Sequence, residues 1–121
     1  MTATSSATRY SVEAENLPGG AATVAARAST IPFDGSAATG ELLPGPADLL
    51  AAALAACILK NVERFSQLLP FSYQRASVQV AVEREEPPPR IVRARYELRT
   101  ITNTLTAACE LSGTIRAEPP T

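Results

Sequence analysis

The chain has no histidine, no tryptophan, one lysine and two cysteines in 121 residues. Without imidazole there is no Ser-His or Cys-His nucleophile pair, no histidine general base and no usual zinc ligand set. Cys57 and Cys109 lie too far apart in sequence to form a CxxC motif. With 11 basic against 12 acidic residues, no charge excess marks a nucleic-acid or anionic-membrane surface. The expected partners therefore include neither nucleic acid nor membrane, and no metal or organic cofactor is expected. The first residues, Met1 to Thr8, have neither the basic start nor the apolar stretch of a secretory signal. A cytoplasmic protein whose cysteines start reduced is the corresponding expectation.

What is present suits one domain, because a second core in a chain of this length would be too small to hold itself together. We expect a disordered tail over 1–8, a single domain over 9–118 and a short tail over 119–121. Much of the apolar content is alanine, and the aromatics are three tyrosines and three phenylalanines. Such a core is modest, and further burial through self-association is expected.

The first strand is predicted over Arg9 to Ala14, followed by a turn at Asn16-Leu17-Pro18-Gly19-Gly20, with Ala21 to Ser29 returning as its partner. Three prolines and three glycines between Ile31 and Pro46 predict a long irregular segment, with a turn at Phe33-Asp34-Gly35-Ser36. A helix then starts at Pro46, with Gly45 as its cap and Asp48 in the first turn, where a carboxylate complements the dipole. It stops by Pro70. Its first half has no polar face, so something must cover it on every side. Val78, Val80 and Val82, then Val92, Ala94, Tyr96 and Leu98, alternate with polar or small residues at the period of antiparallel strands. Thr102 to Leu111 is predicted as a short helix ended by Gly113, and Gly113 to Ala117 as a last strand.

Cys57 lies in the charge-free run Leu49 to Leu59. Helical spacing puts Ala53, Leu54, Lys60 and Asn61 one turn from it, so a cationic amine near the thiol would favour the thiolate and make Cys57 a nucleophile. The competing reading is a small hydrophobe packed in an Ala/Leu helix, because free cysteine is among the most buried residue types. A disulfide with Cys109 requires Cα atoms within about 7 Å, which spacing leaves open. Pro44-Gly45-Pro46 lacks the Lys-Ser/Thr of a phosphate loop. The arginines alternating along Ile91 to Arg99 read as a solvated face, and nothing specific marks Arg27.

Pro44-Gly45-Pro46-Ala47-Asp48-Leu49-Leu50, followed by Ala55-Ala56-Cys57, resembles the OsmC/Ohr family, whose signature is Asn-Pro-Glu-x-Leu leading to Ala-Cys on a central helix. The resemblance runs from Arg9 to Glu118. It implies an α+β, OsmC-like fold in which antiparallel sheets wrap around central helices in an intertwined homodimer. It also implies thiol-dependent reduction of organic hydroperoxides in oxidative or osmotic stress defence. In that chemistry Cys57 is the catalytic, attacking thiol, a second cysteine or an external thiol reductant resolves the sulfenic acid, and an arginine and a glutamate poise the first thiol.

The chain departs from the family pattern at three places. Ala47 occupies the position of the family glutamate, and no cysteine heads Thr100 to Leu105, the run that resembles the family's second-cysteine segment. Members also carry a further stretch of roughly twenty residues, including most of the second helix, between positions corresponding to Arg99 and Thr100. The alternative is therefore a non-catalytic OsmC-like dimer that binds a small hydrophobic ligand or is purely structural.

Overall fold

The computed structural model describes residues 6–38, 40, 42–69, 71–102 and 108–116; at 102, 108–112, 115 and 116 it describes the backbone. Among these residues the chain is α+β, with two three-stranded antiparallel sheets and one helix. It divides into two compact units at Pro46/Ala47.

The first unit holds β1 (Glu13–Asn16), β2 (Ala21–Ala26) and β3 (Ser29–Asp34), in that spatial order. Leu17 to Gly20 turn the chain, with the Gly20 N–H donating to Leu17 O at 2.9 Å and Leu17 N–H to Ala21 O at 2.9 Å. Gly20 has φ 99°, and a Cβ there would lie 2.5 Å from the Ser36 nitrogen. Only glycine meets both conditions. A two-residue turn, Arg27-Ala28, joins β2 to β3 through the pair Ala26↔Ser29, with Arg27 at φ 54°.

Two predicted boundaries in this unit are corrected. The first strand is Glu13–Asn16 rather than Arg9 to Ala14, because Glu13 already pairs with Ala25 and β2 ends at Ala26. Residues further upstream run past the end of their partner. The segment read as irregular from Ile31 begins instead as strand, since Ile31 to Asp34 complete β3. Pro32 is tolerated there because β3 is an edge strand, where a missing N–H breaks no ladder.

The second unit holds α1 (Pro46–Leu68), β4 (Tyr73–Glu85), β5 (Arg90–Thr102) and β6 (Ala108–Arg116), the strands in the order β4-β5-β6. Val78↔Leu98, Val80↔Tyr96 and Val82↔Ala94 put the apolar alternates on one face, and Ser77↔Arg99, Gln79↔Glu97 and Glu83↔Arg93 put the polar alternates on the other. Leu98, at 9% exposure, and Ala22, at 6%, are the buried hydrophobic residues among those described. No residue of α1 is buried.

The helix predicted over Thr102 to Leu111 is corrected. Thr102 ends β5, and Ala108 to Leu111 belong to β6, which runs on through Gly113 to Arg116; 103–107 lie outside the described residues, as do residues 1–5 of the predicted tail over 1–8 and all of the one predicted over 119–121. Cys109, Leu111, Gly113 and Ile115 alternate with Glu110, Ser112, Thr114 and Arg116, a period of two that matches a strand. Gly113 is no helix stop. It pairs with Tyr96, and a Cβ at this position would overlap the Tyr96 ring. The glycine makes room for an aromatic lying across the neighbouring strand.

Candidate functional site

Helix α1 starts as its sequence requires, with proline at the first position and Asp48 in the first turn. Cys57 sits at mid-helix as a free, exposed thiol. One turn on, Asn61 Nδ2 lies 3.8 Å from Cys57 Sγ and donates a hydrogen bond to it. Among the described residues no other hydrogen-bond partner of the thiol is found. Lys60, the cation predicted to favour the thiolate, makes no hydrogen bond or ion pair with it. The sequence singled out the right turn of helix but assigned the polar contact to the ammonium. A short amide at i+4 reaches back along the helix, because α-helical Cβ atoms point toward the N-terminus.

Cys109 takes its place in β6 by register opposite Thr100. The structure therefore gives Cys57 an exposed position with one amide donor, and moves Cys109 from a predicted helix to a strand. Ala47 offers no carboxylate. Arg27, in the β2–β3 turn, is exposed.

The end of α1 is tied to β4 through Glu63. Its carboxylate accepts from the Tyr73 hydroxyl, through a short contact, and from Gln67 Nε2 at 3.2 Å. The hydrogen bond to Glu63, then desolvation and the Glu63 charge, push the Tyr73 hydroxyl above the usual tyrosine range. Around this tie Phe65, Leu68, Leu69 and Phe71 remain exposed, and the Phe71 ring lies tilted by 45° to that of Tyr73, with centroids 6.4 Å apart.

In the first unit, Asp34 organises the loop after β3. Its Oδ1 accepts from Ser36 N at 2.9 Å and from Ser36 Oγ at 2.6 Å, and its Oδ2 from Gly40 N at 2.6 Å. These bonds, the Ser36 hydroxyl first, hold the carboxyl below the usual aspartate range. The Asp34 N–H donates to Pro44 O at 2.8 Å, so this loop is built rather than irregular.

A concavity lies on the polar face of β4 and β5, a groove of about 230 Å³ lined by Arg75, Ser77, Arg99 and Ile101. In sequence the β5 arginines read as a solvated face. Arg75 carries no local signal, because it stands on the partner strand, twenty-four positions before Arg99, and only strand pairing brings the two together.

Among the described residues no cluster of histidine, cysteine and carboxylate side chains could hold a metal ion, and no helix is long and apolar enough to cross a membrane. Comparison with known proteins finds no matching family model, no matching curated protein and no matching solved structure.

Proposed function

We propose that the chain is an OsmC-like, cytoplasmic homodimer that reduces organic hydroperoxides through Cys57. The observation that carries this reading is the exposed Cys57 thiol in the charge-free run of α1, with the Asn61 amide donating to its sulfur at 3.8 Å. The amide is a polar contact on the atom that would attack the peroxide. The proposed dimer is supported by α1 itself. Its first half is alanine and leucine on all sides, yet no residue of the helix is buried within the chain. A helix of that composition is covered in a stable protein, and a second copy supplies the cover.

In the proposed cycle, the Cys57 thiolate attacks the outer peroxide oxygen. An S–O bond forms, the O–O bond breaks, and the alkoxide leaves with the bonding pair and takes a proton from water. The peroxide is reduced to the alcohol, its outer oxygen stays on sulfur with its proton, and Cys57 is oxidised to sulfenic acid; the hydroxide comes from the water that protonates the alkoxide. An external thiol condenses with the sulfenic acid, releasing water and leaving a mixed disulfide. A second reductant thiol then displaces Cys57, regenerating it with formation of the reductant disulfide.

Cys57→Ser is expected to abolish consumption of an organic hydroperoxide in the presence of a dithiol. Equal turnover by the variant overturns the assignment. Sedimentation at micromolar concentration is expected to give the mass of two chains, and a monomer there removes the dimer.

One observation favours the second reading, a non-catalytic OsmC-like dimer that binds a small hydrophobic ligand. Ala47 stands where the resemblance requires a carboxylate, leaving Asn61 as the polar partner of Cys57 among the described residues. Under this reading Cys57 labels slowly with a thiol reagent at neutral pH, and no sulfenic acid is trapped after peroxide.

A further inference from the structure

We infer that the groove between β4 and β5 binds a small phosphate group. The register sets Ser77 opposite Arg99 and Arg75 opposite Ile101, so the two arginines are diagonal neighbours on one face of the sheet, a relationship with Cα atoms roughly 7–8 Å apart. Like charges so placed repel, and an anion between them relieves the repulsion. Arg75 stands on the edge strand of the sheet. Its cross-strand neighbour is the aliphatic Ile101, and no carboxylate among the described residues pairs with it.

On the polar face of β5 Glu97, opposite Gln79, stands two residues before Arg99; the ion-paired carboxylates lie further along. Glu83 pairs with Arg93 at 3.3 Å, and Glu85 lies 3.9 Å from Arg90, both near the far end of the strands. Glu110 of β6 stands opposite Arg99 in register.

Arg75, Arg99 and Ser77 line the groove, so its lining residues carry two guanidinium forks and a hydroxyl. A carboxylate has two oxygens and is satisfied by one guanidinium fork, whereas a phosphate group has oxygens for both forks and a hydroxyl. The groove, about 230 Å³, is below the roughly 300–1,000 Å³ of sites for drug-sized ligands. It fits a phosphate group or a small phosphate monoester. It lies apart from the proposed thiol chemistry and does not depend on it.

The test titrates the full chain with inorganic phosphate, then with glycerol phosphate, at constant ionic strength, following backbone and arginine side-chain NMR shifts. Saturable shifts at Arg75, Ser77 and Arg99 are expected. Arg75→Gln should weaken binding about tenfold or more, the usual effect of losing a charge-assisted hydrogen bond. Arg75→Lys, which keeps the charge but loses the fork, should recover only part of it. Arg90→Gln makes the same charge change outside the groove and should leave binding as it was. Shifts that are absent, that fail to saturate, or that fall equally in Arg90→Gln overturn the proposal. So does tight binding of a single-stranded oligonucleotide with a steep salt dependence alongside no saturable phosphate response, because that result assigns the face to nucleic acid.

Discussion

Asn61 Nδ2 donates a hydrogen bond to Cys57 Sγ across 3.8 Å, one helical turn apart on α1. This pair links the helix to any thiol chemistry the chain performs, because the donor acts on the sulfur directly and needs no tertiary partner. Asn61→Leu is expected to slow alkylation of Cys57 by iodoacetamide at neutral pH by roughly two- to tenfold, the range of one net hydrogen bond of about 0.5–1.5 kcal/mol. Asn61→Gln should restore part of the rate. An unchanged rate in Asn61→Leu means that the amide does not influence the thiol.

Tyr73 donates to Glu63 and so is held in its neutral form above the ordinary tyrosine range. A folded-state value raised above the unfolded one, near 10, stabilises the fold fully below that pH. The contribution is lost as pH rises through the folded value. Glu63→Gln removes the charge and should bring Tyr73 back toward ordinary titration. The tyrosinate absorbance of the wild type, less that of Tyr73→Phe, isolates this residue. A difference curve that does not move in Glu63→Gln shows that Glu63 is not the cause.

Asp34 has the opposite sign. Its carboxyl is depressed by bonds from Ser36 and Gly40, so its contribution is present above the unfolded aspartate value, near 3.9, and is lost as pH falls through the folded value. Acid should therefore release the Gly40 amide before the strands melt. Amide exchange at Ser36 and Gly40 is expected to accelerate in that acidic window for the wild type. In Asp34→Asn, which has no titrating carboxyl, these amides should show no such step. A step that persists in the variant assigns the effect to another group.

Gly113 lies beneath the Tyr96 ring, and a Cβ there would overlap it. Gly113→Ala is expected to destabilise the chain by about 1–3 kcal/mol, the usual cost of forcing atoms into occupied space. In a Tyr96→Ala background the same change should cost much less, since the ring it displaces is gone. Urea unfolding of the four proteins measures both values. Equal costs in the two backgrounds would show that the glycine is required by its backbone alone.

The elements that sequence identified well are those whose signals are local. Pro46, Asp48 and the run through Leu59 define α1 without reference to the rest of the chain, and the alternation of Val78, Val80 and Val82 defines a strand by its own period. The turn at Leu17 to Gly20 was likewise legible from its proline and glycines. β6 was not, because Gly113 has two local meanings. Beside a stretch rich in alanine it reads as a helix end, and only its pairing with Tyr96 gives the other meaning, a glycine that makes space for a ring. β3 was hidden for a related reason: Pro32 reads as a strand breaker until the strand is known to lie at an edge.

The candidate sites divide in the same way. Sequence by itself determined that Cys57 lies in the charge-free run of a helix with Lys60 and Asn61 one turn away, since 3.6-residue periodicity needs only the order of residues. Tertiary structure assigned Cys109 to a strand, because β6 forms only where β5 offers a partner ladder. It also brought Arg75 and Arg99 to one groove, because antiparallel register joins residues that are distant in sequence. Side-chain conformation, read from the structure, settled which neighbour bonds the thiol: the short Asn61 amide reaches the sulfur, and the longer Lys60 side chain makes no hydrogen bond to it.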